Sequence, residues 1–342
     1  MPAQGPGRRF ALGASLMERL YLQDALPREK IQFIVDWNQR IAIEAPRDTL
    51  WVIADGAILD TQGLEDLRTA YGDPIRAFDN TSLADYEELG LLLWPLSRAI
   101  EKDSAETLRA VLSGRPGLSF VRTNNSLALL THTLTWLSGV VAEDGLPLYL
   151  RIGDTRVLRS LISHLSPEQD AVMQGAVKEW IWFDRASAVH VAQSDGGPAS
   201  SVPTEECCIS DAQYAALLAD AAVDILHVEV RRALPDSRDP RTSAELHSWL
   251  GKVMERAEAL GLVRLTDQVM FAVLALEAPD GFEALDELGQ TWRDVGEGAT
   301  LLGKRIERWG DIEWGAIEHL QRNLAKRQTE ERAARILKGM GL

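Results

Sequence analysis

The stretch Leu50-Trp51-Val52-Ile53-Ala54-Asp55-Gly56-Ala57-Ile58-Leu59-Asp60 decides how the first half of the chain folds. Five apolar residues run into Asp55-Gly56, a pair that favours a tight turn: aspartate folds back onto its own backbone, and glycine tolerates left-handed torsions. An apolar run this short, closed by a turn signal, reads as a buried strand.

Outward from it, similar runs recur at Leu91–Trp94, Leu118–Val121, Leu146–Ile152, Trp180–Phe183 and Ala188–Ala192, with helical patterns between them. Pro27 to Ala42 places Ile31, Ile34, Val35 and Ile41 on one face, and Ser126 can cap a helix bearing Leu127, Leu130, Leu134 and Leu137. The alternation predicts an α+β or α/β domain over 27–194, a mixed sheet with flanking helices, preceded by an N-terminal extension over 1–26. Ser194–Pro203, rich in glycine, proline and serine, breaks all periodicity; 195–209 reads as a linker after which strands stop. From 210 to 342 the pattern is helical throughout, an all-helical lobe with Tyr214, Leu217 and Leu218 on one helix and Leu246, Leu250, Val253 and Ala257 on another. Its last helix carries Trp314, Ile317, Leu320 and Leu324 and ends in the charged run Lys326–Arg335.

The 342 residues suit two domains. Acidic side chains outnumber basic ones 51 to 36, a net charge of -15 that repels phosphate backbones. The best basic cluster, Lys304-Arg305 with Arg308, is interleaved with Glu307 and Asp311, so nucleic acid is not an expected partner. The adjacent Cys207 and Cys208 cannot readily form a normal disulfide, and no histidine lies within ten residues to complete a zinc site; they read as reduced thiols. Arg8-Arg9-Phe10-Ala11-Leu12-Gly13 has the outline of a twin-arginine export signal, but Glu18 and Arg19 interrupt the apolar stretch behind it. No run approaches the ~18 apolar residues of a membrane span, and the expected location is the cytoplasm.

The Asp55 stretch also has the outline of the haloacid-dehalogenase phosphatase motif, which needs aspartates at i and i+2, the first attacking phosphorus. Ile53 stands at the first of those positions and cannot attack. No Gly-x-Ser-x-Gly, phosphate-cradling Gly-x-x-x-x-Gly-Lys or dinucleotide fingerprint occurs, and the six histidines are scattered, so no cofactor or metal is expected. A hydrolase would have to assemble its site from distant residues such as Asp55, His132 and Asp154. In Leu148–Leu158 a strand runs through a turn into a helix, with Asp154 at the N-cap. Arg156 in the first turn opposes the helix dipole, so it is held by Asp154 or Asp55, or else faces a partner.

Taken in order, Asp55-Gly56-Ala57, Trp94-Pro95-Leu96, the strand and leucine-rich helix over Leu118–Leu137, and Arg151, Asp154, Arg156, Val157 and Leu158 resemble the adaptor proteins of bacterial type VI secretion. Ser166-Pro167-Glu168-Gln169 followed by Trp180-Ile181-Trp182 is also similar to that family, and the likeness spans about Leu50 to Phe183. The chain departs from the family pattern in swapping Trp94 and Pro95, in carrying Ile152-Gly153 where aromatics are usual, and in Thr155 for proline. The resemblance implies a non-enzymatic, cofactor-free cytoplasmic adaptor that binds a toxin effector and the VgrG spike protein. An acidic immunity protein that neutralises a toxin is the alternative, besides the hydrolase. Ten tryptophans suit a binding protein, with Trp309 and Trp314 as candidate exposed anchors and Ile317, Leu320 and Leu324 beside them.

Overall fold

A computed structural model describes residues 23–79, 81, 83–84, 90–97, 100–194, 203–234 and 239–339, with side chains to 331. The Arg8–Gly13 stretch and 195–202 of the expected linker lie outside the described residues. The chain divides into two compact units, Met1–Ala221 with Thr242–Ala244, and Ala222–Arg241 with Glu245–Leu342.

In the first unit, the apolar runs become β1 (Thr49–Asp55), β3 (Leu91–Pro95), β4 (Leu118–Thr123), β7 (Glu179–Phe183) and β8 (Val189–Gln193). With the two-residue β2 (Ile75–Arg76) they form a six-stranded sheet in the order β2-β3-β1-β4-β7-β8. Every pairing in it is antiparallel. The runs look continuous because helices cover both faces, so strand direction could not be read from them.

The period-2 alternation of a strand sorts the residues between those faces. Leu50, Val52 and Ala54 of β1, Leu92 and Trp94 of β3, and Ile181 and Phe183 of β7 join α1 (Arg28–Glu44), α2 (Thr61–Tyr71) and α3 (Lys102–Leu112) in one core. Trp51, Ile53, Leu91, Leu93, Trp180 and Trp182 pack on the other face. There they meet α4 (Leu127–Ser138), α5 (Thr155–His164) and α6 (Pro167–Ala176). The Ser166 capping box and the Ser126 cap both form.

Strands do not stop at Pro203. Cys207–Ile209 is β9, paired parallel to β5 (Gly139–Ala142), which pairs antiparallel with β6 (Pro147–Tyr149). Three residues are too few for a periodic signal; burial of Cys207 and Ile209 against Val140 fixes them. The burial pushes the Cys207 thiol up to about 11, while Cys208 is exposed.

The second unit is helical among its described residues, as its 3.6-residue periodicity requires. It takes the distal part of α7 (Asp211–Ala233), then α8 (Ser243–Ala259), α9 (Leu265–Glu277), α10 (Gly289–Gly296), α11 (Leu302–Ile306) and α12 (Asp311–Gly339). Leu246, Leu250, Val253 and Ala257 meet Phe271, Phe282 and Trp292 in its core. Together the units make an α+β protein with an antiparallel sheet followed by a helical region.

Candidate functional site

Antiparallel pairing brings the end of β1 beside the starts of both neighbours: Asp55 is opposite Leu91, and Ala54 is opposite Leu118. The 150–156 turn closes over this end of the sheet. Asp55 is fully buried, and its Oδ1 accepts from the Ala57 N–H at 2.9 Å, forming the Asp-Gly turn expected from the sequence. Arg151 then clamps the carboxylate from both sides, Nη2 to Oδ1 at 2.9 Å and Nε to Oδ2 at 3.1 Å.

Burial pushes the Asp55 carboxyl upward, and the Arg151 bonds oppose that rise without cancelling it. Burial works against the Arg151 charge too, but its bonds to Asp55 outweigh this and lift its pKa. Tyr149 is raised by burial, with the Asp55 charge adding to the shift.

Asp154 caps α5, its Oδ1 accepting from the Arg156 N–H at 3.1 Å. Arg156 folds back on the same carboxylate, Nε to Oδ1 at 2.9 Å and Nη2 to Oδ2 at 2.6 Å. Asp154, one of the carboxylates the sequence offers for Arg156, thus holds it. The backbone joins in: Thr155 N–H donates to Pro116 O, Asp55 N–H to Gly117 O, and Gly56 N–H to Gly90 O. Arg115, just before β4, pairs with Asp60, the cap of α2.

Gly153 shows why an aromatic cannot stand there in this chain. A Cβ on it would lie 2.7 Å from Leu91 Cδ2, 2.9 Å from Asp55 Cβ and 3.0 Å from Asp55 Cα. Neither this close approach, beyond the departure itself, nor the Arg115–Asp60 pair is marked in the sequence.

Trp94 and Pro95 lie at the far end of β3. Trp94 is fully buried and donates from Nε1 to Gly72 O at 2.8 Å, whereas Pro95, opposite Trp51, is exposed. His132 is exposed on α4, and among the described residues no hydrogen bond joins it to Asp55 or Asp154. No group of three or more His, Cys, Asp or Glu among the described residues could hold a metal ion.

In the helical unit the expected anchors separate. Trp309 is not exposed: it is 7% accessible and donates from Nε1 to the Thr291 hydroxyl at 3.0 Å. Trp314 is 42% accessible and meets Trp309 edge-on. Ile317 is core, and Leu320 and Leu324 are half-buried. Trp309 is buried because it closes the core after α11, with charged neighbours that face away from it. Of the ten tryptophans, Trp314 alone is exposed, so most of the aromatic content is core.

Fold and site thus define an α+β protein whose sequence-marked polar residues form paired ion braces at one end of an antiparallel sheet. Residues 50–171, from β1 into α6, match the family described as "Domain of unknown function (DUF4123)". No curated protein and no solved structure matched the chain. Among the described residues, no helix is long and apolar enough to cross a membrane.

Proposed function

We propose that the chain is a non-enzymatic cytoplasmic adaptor that binds a type VI secretion toxin effector and helps load it onto the VgrG spike protein. The observation that carries the reading is a coincidence of extent. The ordered elements that resemble adaptors, from Asp55-Gly56-Ala57 through the Arg151–Leu158 block to Ser166–Gln169, lie within the 50–171 match, and Trp180-Ile181-Trp182 lies beyond its end. A non-enzymatic role is supported by what the acidic residues already do: Asp55 and Asp154 have their carboxylates occupied by Arg151, Arg156 and backbone N–H groups.

A net charge of -15 also suits the second reading, an immunity protein that covers a cationic toxin. Deletion of the gene separates the two. An adaptor's loss abolishes delivery of the co-encoded toxin and leaves the producing cell resistant. Self-intoxication with delivery intact would instead establish the immunity protein.

A further inference from the structure

Both edges of the six-stranded sheet present backbone groups that need a defence against pairing with other chains. β2 is defended by its length of two residues. β8 is five residues long, Val-His-Val-Ala-Gln, with no lysine or proline, and its register with β7 runs one to one from Phe183–Val189 to Glu179–Gln193 without a bulge. Among the described residues it has no second neighbour.

Two hydrogen bonds fix the phase of its backbone. Asp184 N–H donates to Ala188 O at 3.0 Å, and Ser194 N–H to Lys178 O at 2.8 Å. In an antiparallel ladder bonded and non-bonded pairs alternate, so His190 and Ala192 bond to β7 while Val189, Val191 and Gln193 turn their N–H and C=O groups outward. The same alternation leaves Val191 42% accessible on the face of Ile181. On the opposite face Ala192 floors a cleft of about 100 Å³, walled by Ile162, Met173 and Val177 and rimmed by Asp170 and Gln174.

We propose that β8 is a docking edge for an extended, basic segment of a partner polypeptide, which adds as a seventh strand and seats one aliphatic side chain in the cleft over Ala192. An incoming residue opposite Ala192 directs its side chain to the cleft face, because side chains of paired residues share a face. Charge selects the occupant. Asp170 borders the cleft and the chain carries -15, so a second copy is disfavoured by its like net charge, whereas a lysine-bearing strand is attracted. This deepens the adaptor reading, on which it rests for taking the partner to be the carried effector.

The test uses the full chain and a capped heptapeptide, Lys-Val-Lys-Val-Lys-Val-Lys, beside a block-ordered peptide of the same composition. Binding of the alternating peptide should slow hydrogen exchange at Val189, Val191 and Gln193 at least tenfold and leave His190 and Ala192, already bonded, unchanged. Val191→Pro removes only an outward N–H and should weaken binding at least tenfold; Val191→Lys, which keeps the backbone, should weaken it by like-charge repulsion. Absent binding, equal binding of the block peptide, or unchanged binding by both variants overturns the proposal. Protection of the three amides in the free protein also overturns it, as a second copy if it depends on concentration and as a segment of this chain if it does not. Effector that copurifies at wild-type level with Val191→Pro sinks the docking edge and leaves the adaptor reading intact. A wild-type protein that binds the peptide but no effector sinks the adaptor reading alone.

Discussion

Replacement of Arg151 by methionine keeps much of the side-chain length and removes the guanidinium that is bonded twice to Asp55, which is fully buried. Breaking a buried ion pair from one side costs about 3–5 kcal/mol, because an uncompensated charge remains. Arg151 is 37% exposed on its side chain, so water screens part of the pair, and the Ala57 N–H still serves one carboxylate oxygen. The expected loss is therefore about 2–3 kcal/mol at pH 7, read from urea unfolding of the first unit by the fluorescence of its buried tryptophans. Without Arg151, burial acts on Asp55 with less opposition, and its folded pKa rises further above 3.8. A group with a raised folded pKa disfavours folding above that pKa, so the penalty should shrink as pH falls and Asp55 takes up a proton. Asp55→Asn in the Arg151→Met background should recover at least about 1 kcal/mol at pH 7. A loss below about 0.5 kcal/mol, or one that does not change with pH, would refute the ion-pair account.

Gly153→Ala should destabilise the same unit by about 1–3 kcal/mol, since the added Cβ meets Asp55 Cβ and Cα and not only a flexible side-chain end. Thermal unfolding checks it, and a neutral effect would mean the 150–156 turn can lift away. Asp184, between β7 and β8, is raised by burial, but His190 and the Ala188 and Ala186 N–H groups outweigh that and hold its carboxyl below the usual value. Its contribution is present above 3.8 and lost as pH falls through the lower folded value, so an Asp184→Asn deficit of about 1 kcal/mol at pH 7 should close in acid. Trp309→Ala should cost the helical unit about 3–5 kcal/mol and Trp314→Ala less than about 1, compared by urea unfolding; equal costs would contradict the burial difference.

The strands were legible because their apolar runs are short and bounded by turn residues, as at Asp55-Gly56. Their direction was not, because helices on both faces erase the alternation that marks a one-sided antiparallel sheet. β9 was missed because three residues carry no period, and its position depends on Val140, distant in sequence. At the site, the cap role of Asp154 was local and so readable, and its hold on Arg156 was one of the alternatives the sequence left open. The Asp55–Arg151 clamp joins residues 96 positions apart, and only the fold supplies that proximity. Trp309 misled because charged neighbours such as Arg308 and Asp311 suggest exposure, whereas the connection between α11 and α12 carries its ring inward to Thr291.

Coproduction of the tagged full chain with a candidate toxin effector and a VgrG protein from the same genome, followed by native mass spectrometry of the purified material, is the sharpest check on the adaptor proposal. An adaptor should give a single complex containing all three chains. A chain that binds the toxin, blocks its activity and excludes VgrG, or that binds neither, would contradict it.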